Sequence, residues 1–249
     1  MINYHNLSLD KKDIDTILVL DFGSQYTQLI ARRIRELNVF STILPWDCSV
    51  EKIAEINPKG VILSGGPQSV TKSNTPRVPE IIFELNVPVL GICYGMQTLA
   101  EQFGGQVSSS KNKEFGHAQI LLEKSSLLFD GLSPGSLIDV WMSHGDNVST
   151  LPDEFNLIAS TSSSPIAAME HDLKPIYALQ FHPEVTHTKK GNVILENFSF
   201  NICKCKAQWK IENLIEQRML DIKEKVGDQK VLLGLSGGVD SSVTAMLLD

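Results

Sequence analysis

The segment VPVLGICYGMQTLAEQF, residues 87–103, decides the architecture. Its first half is a short continuous apolar run that suits a strand buried on both faces of a parallel sheet, and its second half reads as a helix. Between them GICYG has the form glycine, any residue, nucleophile, any residue, glycine, with cysteine in the nucleophile position at a strand-to-helix junction. Gly91 and Gly95 remove side chains that would clash as the backbone turns tightly. The turn leaves the Cys93 sulfur above the carboxyl edge of the sheet, with the electropositive end of a helix beneath it. A cysteine in a strand is usually a packed structural residue. Two flanking glycines at such a junction reverse that reading.

Similar runs lie on the N-terminal side: TILVLDFG (16–23), FSTILPW (40–46) and GVILSGGP (60–67), with helical stretches such as QYTQLIARRIRELN (25–38) between them. Strands alternating with crossover helices predict an α/β fold built on a parallel sheet. From about Phe115 strands follow one another instead, in GHAQILLEK, SLIDVWMSH, FNLIAST, IAAMEH and KPIYALQFHPE, so an antiparallel extension or mixed sheet is expected there. GNVILENFSFNIC (191–203) reads as a closing helix. Beyond it, Ile211, Leu214, Ile215, Met219 and Ile222 form a one-sided helical stripe, and KVLLGL (230–235) reads as one more buried strand. These patterns predict a polar N-terminal tail over 1–14, a first domain over 15–206 and the beginning of a second over 207–249. One strand and one helix do not make a domain, so the second is expected to be cut short.

Composition narrows the function. The 249 residues are 42% hydrophobic and 20% charged, with a net charge of −7. That balance fits a globular protein and argues against nucleic acid as a partner, because phosphate-backbone binding needs clustered Lys and Arg. No apolar run approaches the roughly 20 residues of a membrane helix, and the polar start lacks a signal-peptide pattern. A cytoplasmic protein with no membrane partner is expected. The four cysteines, Cys48, Cys93, Cys203 and Cys205, read as reduced thiols. Cys203 and Cys205 lack the further ligands a structural zinc site requires.

A cysteine nucleophile needs a base, and the base an orienting group. YALQFHPEVTH supplies His182 at the end of a strand-like run and Glu184 two residues on, across a stiff Pro183. Alone, HPE reads better as a surface turn; beside GICYG the pairing becomes the stronger reading. Gln97, one helical turn beyond Cys93, faces the same way as the sulfur.

GICYGMQ and QFHPE, with SGGP upstream of them, resemble the signature segments of the class I (triad type) glutamine amidotransferases, from about Thr16 to Cys203. The resemblance implies a flavodoxin-like, mixed and largely parallel sheet with helices on both faces, and L-glutamine as substrate with no cofactor for its hydrolysis. Cys93 is then the nucleophile, His182 moves protons to the departing ammonia and Glu184 holds His182. Backbone N–H groups of Gly66 and Tyr94 are implied as the oxyanion hole. Gln97, and Ser143, Gly145 and Asp146 in WMSHGD, are implied for glutamine binding. Asp146 reads equally as an ordinary turn aspartate, and His144 as a packed or solvated histidine.

SGGVDSS (236–242) follows the last apolar run and opens a helix, so its N–H groups form an anion cradle; no Lys follows the glycines, which excludes a Walker A loop. A Ser- and Gly-rich helix cap is the plain alternative, with Asp240 as a first-turn acid. The segment resembles the pyrophosphate loop of the ATP pyrophosphatases. That implies ATP contacts at Ser236, Gly237, Gly238, Val239, Asp240, Ser241 and Ser242, Mg²⁺ near Asp240, and the first strand and helix of an adenine nucleotide alpha hydrolase-like α/β domain. An amidotransferase followed by this loop is similar to the layout of the GMP synthetase family. The resemblance implies ammonia transfer to adenylated XMP and a homodimer when the protein is full length. An amidotransferase serving CTP, anthranilate or carbamoyl phosphate synthesis, or a non-catalytic glutamine- or nucleotide-binding module, are the competing readings.

Overall fold

The computed structural model describes residues 14–248, apart from the side chains at 110–113, 211–214 and 216–218. The tail read over 1–14 therefore lies outside the described residues except for Ile14. The chain divides into two compact units, one of Asp15–Ala207 and one that takes the residues from Gln208 onward.

In the first unit nine strands form one sheet. The parallel part comprises β1 (Thr16–Asp21), β2 (Phe40–Pro45), β3 (Gly60–Leu63), β4 (Val89–Ile92) and β9 (Ile176–Leu179). β5 (Gln106–Leu122), β6 (Leu137–Thr150), β7 (Phe155–Ser160) and β8 (Ala168–His171) continue it antiparallel, giving the order β2-β1-β3-β4-β9-β8-β7-β5-β6. The first five follow the 2-1-3-4-5 order of doubly wound folds, in which ligands gather at the carboxyl ends of the strands.

Alternation along β1 shows why its apolar run is continuous. Ile17 and Val19 pack on one face with Ile30 and Ile34 of α1 (Thr27–Glu36). Leu18 and Leu20 pack on the other with Ile53 of α2 (Val50–Ile56) and Met96 and Leu99 of α4 (Tyr94–Gln102). A strand covered on both faces has no polar positions to alternate with. The short α3 (Ile81–Glu84) precedes β4. α5 (Gly191–Glu196) runs on through a wider turn to Ile202, closing the unit as one helical stretch.

The second unit contains α6 (Ile211–Val226) and α7 (Val239–Leu248). The strand expected over 230–235 does not form. Leu232 is fully exposed, and Val231 and Leu235 are more than half exposed. A strand requires a neighbour to take its N–H and C=O groups, and among the described residues none pairs with this one. Of the predicted stripe on α6, Ile215 is exposed and Met219 and Ile222 are half-buried; the side chains of Ile211 and Leu214 lie outside the described residues. Among the described residues no helix is long and apolar enough to cross a membrane.

Candidate active site

β4 ends at Ile92, and the chain turns through Cys93 at φ 53°, ψ −104°, a left-sided conformation that side chains rarely adopt. Such strain, on the order of 1–3 kcal/mol, persists only where the surroundings impose it. Here glycine makes room for it. A Cβ on Gly95 would lie 2.5 Å from the Leu63 carbonyl oxygen, and one on Gly91 would lie 2.7 Å from Leu99 Cδ1 and 2.8 Å from the Gly95 backbone. The sharp turn at GICYG, its reason for glycine and its place at the head of α4 all match the expectation from sequence.

Strand pairing brings in the second segment. β4 lies beside β9, with Ile92 opposite Leu179, and Cys93 N–H donates to Leu179 O at 2.7 Å. His182 follows three residues past that point. Its N–H donates to Trp141 O (3.0 Å), while Thr188 Oγ1 donates to His182 O (2.6 Å) and accepts from Trp141 N–H (3.1 Å). The His182 backbone is thereby fastened to β6.

His182 Nδ1 lies 2.7 Å from Glu184 Oε1, and both side chains are buried. With Nδ1 taken by Glu184, Nε2 is the nitrogen left for Cys93, which also acts on the ring. Burial presses His182 toward the neutral form; the Glu184 charge and the bonds to Cys93 and Glu184 outweigh it, and the ring is pushed up to about 10. Tyr26 packs edge-on against the ring at 5.0 Å. Arg33 Nε donates to Glu184 O at 2.9 Å, tying the HPE segment to α1.

These residues open onto a cleft of about 1000 Å³. Cys93, Gln97, Gly66, Ser143, Gly145, Asp146 and His182 all line it. The Gly65–Gly66 turn is held by Ser64, whose Oγ accepts from Phe22 N–H (3.0 Å) and donates to Gly65 O (2.8 Å). A Cβ on Gly66 would meet Phe22 O at 2.8 Å. At the head of α4, Gly95 N–H donates to Ser64 O and Gln97 N–H to Cys93 O, so Tyr94 N–H is among the first-turn donors left for a ligand. Tyr94 itself points away, its hydroxyl donating to Pro76 O at 2.8 Å.

The glutamine-binding candidates meet one another. Gln97 Nε2 donates to Asp146 O (2.7 Å), so part of its hydrogen-bonding capacity holds the 143–146 segment, and Cys93 Sγ lies 3.6 Å from Ser143 O. Ser24, Gln25 and Tyr26 after β1, and Ser69, Thr71 and Lys72 after β3, also line the cleft, and none of them is among the residues expected from sequence. Their position at the carboxyl ends of parallel strands was the available signal. His144 is not a solvated histidine. It is buried against Glu114, a partner that nothing in the local sequence indicates.

Residues 236–242 belong to the other unit. Gly237 takes φ 80°, Gly238 N–H donates to Ser236 Oγ (3.4 Å), and Ser241 and Ser242 hydroxyls donate to Gly238 O (3.0 Å each). The loop caps α7 with Asp240 in the first turn. Among the described residues no three His, Cys, Asp or Glu side chains gather as a metal site.

Residues 18–202 match the family model described as glutamine amidotransferase class-I, and residues 210–249 match the one described as NAD synthase. The chain is 58% identical over 238 residues to the GMP synthase (glutamine-hydrolyzing) of Teredinibacter turnerae, an alignment covering 93% of this chain and 45% of that protein. It is 53% identical over 253 residues to the enzyme of the same name from Haemophilus influenzae strain 86-028NP, covering 100% and 47%. The chain thus spans about half the length of the curated relatives it matches. A solved structure from Thermoplasma acidophilum, described as that of a candidate GMP synthase subunit, shares 35% identity at a TM-score of 0.65, covering 77% of this chain and 94% of that one.

Proposed function

This chain belongs to the class I glutamine amidotransferase family, and from that premise we propose that it hydrolyses L-glutamine to glutamate and ammonia through Cys93, His182 and Glu184. The observation that carries the reading is the strained Cys93 on the same cleft as a buried imidazole whose Nδ1 is held by a carboxylate.

The chemistry follows from those contacts. Cys93 sulfur attacks the side-chain amide carbon, and the carbonyl oxygen takes up negative charge that Gly66 and Tyr94 N–H groups receive. His182 gives its Nε2 proton to the nitrogen, the C–N bond breaks and ammonia leaves, so a γ-glutamyl thioester remains on Cys93. Water then attacks the thioester as His182 accepts its proton, the C–S bond breaks and glutamate departs, leaving the sulfur and the protonated ring as they began. Asp146 pairs with the α-ammonium of glutamine, while Gln97 and the main chain at Ser143 and Gly145 complete its recognition.

The same reading extends to the complete protein. Ammonia released at Cys93 passes to an ATP-dependent amination of XMP to GMP, in a cytoplasmic homodimer whose second domain begins near Lys206. The names of the relatives support the amination of XMP to GMP, and the match over 210–249 supports a second, synthetase domain. Ser236, Gly237, Gly238, Val239, Asp240, Ser241 and Ser242 would hold the ATP phosphates. Asp240 fits Mg²⁺ as a single carboxylate, since that ion takes its other ligands from phosphate and water; when bound it would neutralise phosphate charge.

Comparing glutamine hydrolysis by the parent and by Cys93→Ala tests the reading. Loss of at least about 10⁴-fold with an unchanged fold is expected; equal hydrolysis by the two proteins rejects it.

A further inference from the structure

The His144 ring lies between two acceptors. Its Nδ1 is 3.0 Å from the main-chain oxygen of Asp146. Its Nε2 is 2.9 Å from Glu114 Oε2, out of line for a full hydrogen bond. A carbonyl oxygen only accepts, so Nδ1 carries a proton. A ring with no second proton turns a bare lone pair toward Glu114, and an ionised carboxylate has only lone pairs to answer with. Glu114 Oε1 is already taken as an acceptor by the Ser163 hydroxyl. The His144 side chain is 1% exposed and that of Glu114 13%, so no bulk water parts the two atoms, and unpaired buried acceptors are costly. One further proton between Nε2 and Oε2 removes the conflict, whichever atom carries it.

The pair sits where it bears on the cleft. Glu114 on β5 and His144 on β6 are cross-strand partners at the point where pairing resumes after the register shift between Ser109 and Glu114. Asp146 O, two residues beyond, is held both by His144 Nδ1 and by Gln97 Nε2. The charged and titratable groups around the ring are Glu114 from β5, His182 from beyond β9, Cys93 from the head of α4, Asp146 on its own strand and Lys72 across the cleft. Burial is the strongest influence and, with His182, holds the ring below its ordinary value; the Glu114 charge and the Asp146 carbonyl oppose it without overcoming it.

The geometry points to Glu114 and His144 as a proton-sharing pair whose proton fixes the Ser143–Asp146 segment in the shape that receives the amino-acid end of glutamine. The inference rests on the proposed glutaminase function. Both are positioning residues, acting on substrate through Asp146 and its neighbours.

Glutaminase pH profiles of the parent, Glu114→Gln and Glu114→Ala, with ¹⁵N spectra of the His144 ring, test it. The amide introduced by Glu114→Gln donates to a neutral Nε2 at every pH, so this variant keeps the parent KM near the optimum and holds it flat as pH rises. The parent KM climbs there as the shared proton is lost. Glu114→Ala raises KM on the order of tenfold with a much smaller change in kcat. A Glu114→Gln variant that keeps the parent's pH dependence of KM, or a folded Glu114→Ala with the parent KM, overturns the inference. The ring spectra give a readout without turnover. The parent shows a proton on Nδ1 and a second shared with Glu114; a bare Nδ1, or a bare Nε2 beside an ionised Glu114 throughout the neutral range, contradicts the pair. If the parent and Cys93→Ala hydrolyse glutamine alike, the proposed function falls, and the ring spectra still decide the pair.

Discussion

Glu184 Oε1 lies 2.7 Å from His182 Nδ1, and the two buried side chains share no bulk water. The contact fixes the ring so that Nε2 faces Cys93, and it helps push His182 up to about 10. Glutaminase activity that depends on protonated His182 should therefore persist into alkaline solution and fall near pH 10. Replacing Glu184 by Gln removes the charge, so the alkaline limb of kcat/KM moves acidward and the rate falls on the order of 10²–10⁴-fold. An unmoved limb in Glu184→Gln contradicts this role.

The same shift links to stability. His182 is raised above its ordinary 6.5 in the folded protein, so the folded state binds a proton that the unfolded state has released between the two values. This contribution is fully present below about pH 6.5 and is lost as pH rises through about 10. Denaturant unfolding across that window should show declining stability, with a smaller decline in Glu184→Gln. Equal slopes in the two proteins argue against the pairing as its cause.

Gly95 tests the turn that carries Cys93, the proposed nucleophile. A Cβ there would stand 2.5 Å from Leu63 O, a backbone atom that does not swing aside. Gly95→Ala should lower stability by about 1–3 kcal/mol and reduce glutamine hydrolysis more than that loss of folded protein explains. Unfolding curves and specific activity measured on one preparation separate the two effects.

Asp146 lines the cleft, while its main-chain oxygen is held by Gln97 and His144. Asp146→Asn leaves those main-chain contacts in place and removes only the charge that the proposed function assigns to the substrate ammonium. KM for glutamine should rise on the order of tenfold or more with kcat much less affected. A fall in kcat at constant KM would assign Asp146 a different role.

Much of this was legible in the sequence because it rests on local necessity. Gly91 and Gly95 are readable since no other residue fits that turn, and continuous runs such as TILVLD are readable because strands covered on both faces leave no polar position. Other features depend on partners far along the chain. The polar start of β5, Gln106–Ser109, joins the sheet by pairing with β6 and carries no apolar alternation to reveal it. Glu114 acquires its meaning only when that pairing sets it against His144, and Arg33 only when α1 packs near Glu184. KVLLGL fails in the opposite direction: its apolar pattern is that of a buried strand, yet pattern alone supplies no neighbour, and among the described residues it remains unpaired.

Covalent capture by an alkylating glutamine analogue, located by peptide mass spectrometry, tests the central claim most directly. The four cysteines compete for the label. Burial pushes the Cys48 thiol up, and burial drives Cys203 well above its ordinary range; the hydrogen bond from Cys203 holds Cys205 down, but that residue is only 7% exposed. One adduct confined to Cys93, blocked by excess glutamine and lost in Cys93→Ala and His182→Ala, is the expected result. Labelling at Cys205 or Cys48 with equal efficiency, or glutamine hydrolysis that continues at the parent rate once Cys93 is fully modified, contradicts it.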